Sequence, residues 1–168
     1  MDAENKSESV VCSRLTEALL ELMAEKPYED ITIRELADRA EVARVSFYRH
    51  FKSKDDVLAQ DARRLTEGFL ASLDPNLRSY DSRAFVEALL KHMQAQDASI
   101  QLLIKSGRMD IVRTEFDRAF EVGGTDRRDS ARRRFLSGGL YNLFYKWALD
   151  GYDPDAAQIA EFVCELVG

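Results

Sequence analysis

The chain has 168 residues, 45% hydrophobic and 32% charged, with a net charge of −6; that composition supports a sizeable core and excludes a disordered or collagen-like chain. No apolar run approaches the roughly 20 residues of a membrane span, and the polar start Met1-Asp2-Ala3-Glu4-Asn5-Lys6 lacks the pattern of a secretory leader, so a cytoplasmic protein without a membrane partner is expected. Cys12 and Cys164 lie far apart and outside any Cys-x-x-Cys pair, which excludes a disulfide framework and a zinc site and reads as two buried thiols.

Residues 1 to about 8 are polar and read as frayed. Val11, Leu15, Ala18, Leu19 and Leu22 recur at spacings of three and four, which predicts a first amphipathic helix stopped by Pro27. Thr32-Ile33-Arg34-Glu35 has the form of a capping box, in which a hydroxyl and a carboxylate each satisfy a free backbone N–H at a helix start. A short second helix from about Ile33 to Arg39 follows, burying Ile33, Leu36 and Ala37. After a tight turn at Glu41-Val42, Ala43 to Phe51 reads as a third short helix, and Ser53 caps a fourth that ends at Asp74-Pro75-Asn76. Further helices are predicted near 82–95, 98–105, 108–121, 127–149 and 154–167, with no strand alternation, repeat or low-complexity linker. The fold class is therefore all-α with about nine helices.

Two short helices joined by a three- or four-residue turn meet the physical requirement for docking in the DNA major groove. The net charge runs against a nucleic-acid partner, but the local charge runs for one. From Val42 to Lys54 the cations Arg44, Arg49, Lys52 and Lys54 occur with no Asp or Glu among them.

Ile31-Thr32-Ile33-Arg34-Glu35-Leu36-Ala37, followed by Val42, Phe47-Tyr48-Arg49-His50-Phe51-Lys52-Ser53-Lys54 and Leu58, resembles the N-terminal signature of the TetR family. The spacing Tyr48, His50, Phe51, Lys54 is its specific part, and the resemblance covers about 11–60. It implies a helix-turn-helix DNA-binding domain at 8–54, its motif at about 33–52, and a helical regulatory and dimerisation domain at 55–168. It further implies that Thr32, Ser46, Tyr48, His50 and Lys54 contact phosphates or lie beside them. Arg44 and Val45, near the start of the third helix, are then the candidates for base reading, by paired hydrogen bonds to guanine and by contact with a thymine methyl. Phe47 and Phe51 are assigned to the small core with Leu19, Leu36 and Val42. Two residues depart from the family pattern: Glu41, where a left-handed glycine is usual, and Val45, where a small residue is usual near DNA.

The segment Phe135 to Trp147 is apolar nearly all round a helix, so a second surface must cover it. Leu136, Leu140, Leu143 and Trp147 repeat as in a helix–helix seam, with Gly138 and Gly139 allowing close approach; Ile159, Phe162 and Leu166 form a similar stripe on the last helix. These seven are the candidate interface of a homodimer built as a four-helix bundle, against the alternative of a buried monomer core. The resemblance also implies a small-molecule effector site in the body, with Phe85, Leu89, His92, Met93, Met109, Phe116, Phe120, Tyr141 and Tyr145 as candidates against a reading as plain core. Arg127, Arg128, Arg132, Arg133 and Arg134 read as a solvated helix face partly paired with Asp126 and Asp129.

No catalytic constellation, metal-ligand spacing or cofactor motif is present: His50 and His92 fall in different modules. The expected partners are double-stranded operator DNA, a second copy of the chain and a small-molecule effector, the chain being a repressor that binds a near-palindromic operator as a homodimer and is released by that effector. The rival expectation is a TetR-like interaction protein that acts through another regulator, with Glu41 and Val45 as its support.

Overall fold

The computed structural model describes residues 2–74, 82–121 and 126–167, and the elements among them are all helical. In chain order they are α1 (Asp2–Glu25), a 3-10 turn at Tyr28–Asp30, α2 (Ile33–Arg39), α3 (Arg44–His50), α4 (Lys54–Ser72), α5 (Arg83–Gln94), α6 (Asp97–Lys105), α7 (Met109–Glu121), α8 (Arg127–Leu149) and α9 (Ala156–Val167). Among the described residues the expected all-α class with about nine helices is borne out.

The helix starts follow from capping chemistry. Side-chain oxygens of Thr32, Ser53, Ser82 and Asp126 each accept backbone N–H groups of the first turn that follows, at 2.8–3.2 Å. At the Thr32 cap the capping box closes as expected, with one addition: the Glu35 carboxylate, lowered in pKa first by the Lys26 ammonium at 2.5 Å, is held by the Thr32 backbone N–H as well. Two boundaries are corrected. The first helix already runs from Asp2, upstream of the expected start, and α4 stops at Ser72, where Leu73 turns extended. Pro75 and Asn76, offered as its stop, lie outside the described residues.

Leu15, Leu19, Leu22, Leu36, Phe47 and Phe51 are buried between α1, α2 and α3, with Val57 and Leu58 of α4 closing that core from below. The same hydrophobic cluster continues without a break into the body, where α7 packs on α8 and α4, and α5 on α9. Ile33 and Val42, expected in the core, are only half-buried at its edge, and the thiols of Cys12 and Cys164 are half-buried too. The body's centre is aromatic: Phe116 lies within 6.4 Å, centroid to centroid, of Phe120, Tyr141 and Phe144, and Phe85 bridges Phe120 to Phe69.

Candidate nucleic-acid interface

The turn between α2 and α3 sets the angle at which α3 is presented. The Val42 N–H donates to the Ala37 carbonyl at 3.0 Å and the Glu41 N–H to Asp38 at 3.2 Å, the pairing of a Schellman motif. That motif needs a left-handed residue between the helices, and Glu41 takes it at φ 55°. The sequence departure therefore leaves the turn geometry intact and costs strain instead, because a side chain at positive φ crowds the following carbonyl. Glu41→Gly is expected to stabilise the chain by about 1 kcal/mol, read as a raised denaturation midpoint at unchanged m-value. A midpoint that does not rise contradicts the strain.

From this turn α3 buries one face and offers the other. Phe47 is fully buried, its ring meeting the edge of Tyr48 at 5.3 Å and tilted against Phe51 at 5.9 Å. On the opposite face Arg44 is exposed, Val45 is 70% exposed and Tyr48 57%. Arg49 and Lys52 are exposed as well, and among the described residues no ion pair engages Arg44, Arg49 or Lys52. Thr32 is exposed at the start of α2: its oxygen accepts the Glu35 N–H at 3.2 Å, which leaves the hydroxyl proton to donate outward. Thr32, Arg44, Val45 and Tyr48 thus stand on exposed surface of the two short helices.

Three expected residues sit differently. Ser46 is half-buried and its backbone N–H closes on Ala43 at 2.8 Å. His50 is half-buried and turns toward the hollow between α1 and α4, beside Cys12, Thr16 and Arg64. The Lys54 ammonium donates to the Tyr28 and Ile31 carbonyls at 2.6 and 2.7 Å and lies 4.2 Å from the Tyr28 ring centroid, and burial lowers its pKa. Two of its three N–H donors are engaged within the chain; at most one is left for a phosphate.

Around Tyr28 the structure assembles a group that sequence reasoning did not single out. The Tyr28 hydroxyl donates to Asp55 at 2.7 Å, and Arg108, at the corner between α6 and α7, stacks 4.7 Å from the Tyr28 ring centroid. Arg108 Nη2 donates to Glu29 at 2.7 Å, while its Nε lies 3.0 Å from Asp55 Oδ1, off the line of a hydrogen bond. One body residue is thereby tied to both ends of the helix-turn-helix. Nothing local in the sequence marks Arg108, because its partners lie more than 50 positions away. Arg39, with Glu21 and Glu25 at 3.3 and 2.8 Å, similarly clamps α2 to α1.

In the body, Phe85, Leu89, His92, Met93, Phe116 and Phe120 meet around narrow gaps between α4, α5 and α7. Met109, Tyr141 and Tyr145 are elsewhere: the Tyr141 hydroxyl donates to the Met109 carbonyl at 3.1 Å, and Tyr145 stacks on Tyr141. His92 stacks on Phe69 at 4.7 Å, and burial lowers its pKa below the usual value of about 6.5. The unfolded chain therefore binds this proton more readily, so stability rises with pH across the interval and falls as pH drops from about 6.5 toward the lowered value. Melting at pH 7.5 and 5.5 is expected to show a smaller acid loss for His92→Phe than for the parent. Equal losses would mean that the ring titrates normally.

The expected seam of α8 and α9 is corrected. Leu136, Leu140, Trp147 and Ile159 are buried within the chain's own core, and the Trp147 indole N–H donates to the Pro154 carbonyl at 2.6 Å, fastening the loop before α9. Leu143 is half-buried. Of the seven, Phe162 and Leu166 face outward, 49% and 81% exposed, joined by Phe135 at 71% and Leu149. The space beside Gly138 and Gly139 is open, with no other part of the chain within 4 Å of where a side chain would begin, so neither glycine serves a close approach within the chain. Of the arginines at the start of α8, Arg133 meets Asp129 at 2.9 Å as expected, whereas Arg134 meets Glu121 of α7 at 3.7 Å.

Among the described residues no helix is long and apolar enough to cross a membrane, and no group of three or more His, Cys, Asp or Glu is placed to hold a metal ion.

Residues 15–60 match the family model of bacterial regulatory proteins, tetR family. Over 61 residues the chain is 36% identical to the HTH-type transcriptional regulator TcmR of Streptomyces glaucescens, a stretch that covers 36% of this chain and 27% of that protein. The match thus spans about a quarter of that relative's length. Solved structures extend the likeness to the whole fold. FadR of Bacillus subtilis, determined in complex with stearoyl-CoA, superposes with a TM-score of 0.59 at 17% identity, over 92% of this chain and 96% of that one. FadR of Bacillus halodurans gives 0.58 at 17%, over 93% of each chain. A TetR transcriptional regulator of Rhodococcus sp. RHA1 gives 0.57 at 21%, over 95% and 96%. Identities this low establish the shared fold alone.

Proposed function

We propose that the chain is a member of the tetR family of bacterial regulatory proteins, whose family model residues 15–60 match, and that it represses transcription by binding a near-palindromic operator as a homodimer that a small-molecule effector releases. The observation that carries the DNA reading is α3: Phe47 is buried on one side while Arg44, Val45 and Tyr48 stand free on the other. Arg44 and Val45 sit in its first turn, the part of a recognition helix that reaches base edges. Thr32 and Tyr48 supply outward hydroxyl donors for phosphates, whereas Ser46 and His50, half-buried, have less to offer them. Lys54 holds the 3-10 turn against α4 and gives phosphate at most its third N–H.

In this reading residues 8–54 form the DNA-binding domain and 55–168 the regulatory and dimerisation domain, with α4 shared between their cores. The effector enters the body near Phe85, Leu89, His92, Met93, Phe116 and Phe120. Residues of α6 border the same region, and Arg108 just beyond α6 grips Glu29, Asp55 and Tyr28. A ligand that moves α6 therefore acts directly on the seat of α2 and α3, which is what differential binding to two states requires.

Selection of bound sequences from a random duplex pool, followed by a salt titration on the winner, tests this. A palindrome should emerge, and affinity should fall around 10³-fold between 50 and 200 mM salt if six or more phosphates are contacted. Recovery of no motif would favour a protein that acts by binding another regulator. On the selected site Arg44→Ala should cost about 1–3 kcal/mol and relax preference at one base position per half-site. Unchanged preference would remove Arg44 from base reading.

A further inference from the structure

Between α4, α5, α6 and α7 lies a cavity of about 60 Å³ whose wall is mostly apolar, with Leu65, Met93, Ile100, Val112 and Phe116 among its lining. The charged groups on that wall are Asp61 and Glu115, and no lysine or arginine lines it. Glu115 is 3% exposed, although it sits in the middle of α7 where an apolar residue would otherwise be expected. Its carboxylate meets Arg118 at 2.7 Å and Arg63 at 3.5 Å, and Asp61 meets Arg64 at 2.7 Å. All three guanidinium groups reach solvent, the side chains being 33%, 53% and 67% exposed. Each carboxylate has about four acceptor sites, so its outer partners do not exhaust it.

A second gap, of about 20 Å³, adjoins the first and is lined by Phe69, Phe85 and Phe120. Thr66, His92, Met93 and Phe116 border both gaps. Met93 is an unbranched thioether able to change rotamer at little cost. For the two gaps to act as one slot, aromatic at one end and acidic at the other, Met93 has to swing aside.

We propose that this slot is the effector site and that its ligand is a small hydrophobic cation, an aromatic or aliphatic body placed among Phe69, Phe85 and Phe120 with its positive head at Asp61 and Glu115. The wall presents an anion with carboxylates and no cation, because the three arginines pair with them from the solvent side; a neutral ligand leaves the carboxylates without a new partner, whereas a cation gains their remaining acceptor sites. Burial holds His92 neutral rather than cationic, so it does not offset the two acids. The slot differs in kind from one that would welcome an acyl-CoA, whose phosphates require cations. The inference rests on the effector reading above and specifies its chemistry.

The test uses three probes of matched shape on the full chain: benzyltrimethylammonium, its uncharged carbon analogue neopentylbenzene, and phenylmethanesulfonate. Calorimetry and thermal shift should rank the cation first by roughly tenfold, with Asp61→Asn and Glu115→Gln each reducing that preference while both variants keep the parent's helical signal. Equal or tighter binding of the neutral probe or the anion, or binding of none of the three, overturns the proposal. Release of the selected operator duplex separates the two readings. A cation that binds with the expected preference yet leaves DNA bound supports the site and defeats the effector role. Release by the anion or the neutral probe supports an effector and defeats this site chemistry.

Discussion

Phe162→Asp combined with Leu166→Asp is expected to give a folded monomer that has lost about 10²- to 10⁴-fold in affinity for a palindromic operator, because two linked heads gain that much over one through effective concentration. Both side chains are exposed on α9, so the change removes no contact from the chain's own core. On α8, Phe135 and Leu149 are exposed apolar side chains as well, with Gly138 and Gly139 between them in sequence. Open space over the two glycines lets a partner helix approach closely. Sedimentation reads the assembly state and a gel shift on the selected operator reads the affinity. A dimer that survives the double change would move the interface off α9. The same experiment on Trp147 would be uninformative, since that indole is 2% exposed and bonded to Pro154; its loss damages the monomer first.

The second large effect is at Phe47. Phe47→Ala is expected to cost about 3–5 kcal/mol, the transfer and cavity cost of removing a fully buried ring. Phe47 is the one residue of α3 that is fully enclosed, and it spaces α3 from α1 and α2 while Tyr48 and Phe51 lean on its edges. Its loss should therefore abolish operator binding as well, although the side chain faces away from DNA. Urea unfolding measures the first and the gel shift the second. A cost below about 1 kcal/mol would mean that the head repacks around the gap, contrary to the close packing of protein interiors.

Much of this architecture is legible in the sequence because it is set by local chemistry. Periodicity placed the helices from α2 to α9 to within about two residues, and Thr32 and Ser53 cap where their spacing to Glu35 and Asp56 says they should. The basic run from Arg44 to Lys54 lies, as its charge pattern suggests, in and just after the exposed second helix of the pair. Glu41 is a different case: its left-handed position is implied by the family resemblance alone, and the backbone does adopt that conformation.

The tertiary structure decided matters of direction. A helix such as α8, apolar nearly all round, has no period by which to tell an inner from an outer face. The packing of α7 and α6 against it turns Leu136, Leu140 and Trp147 inward and Phe135 outward. Lys54 matched a phosphate-binding position by spacing, yet two backbone carbonyls brought near by the 3-10 turn take its ammonium. Arg108 reaches Glu29 across 79 positions, and Glu115 finds Arg63 from another helix. The amino-acid sequence by itself determined which segments are helical, where they begin and which face of α3 carries charge, since those depend on neighbours within a turn. Which side chains meet across the fold depends on close packing between distant segments, and that the tertiary structure alone decided.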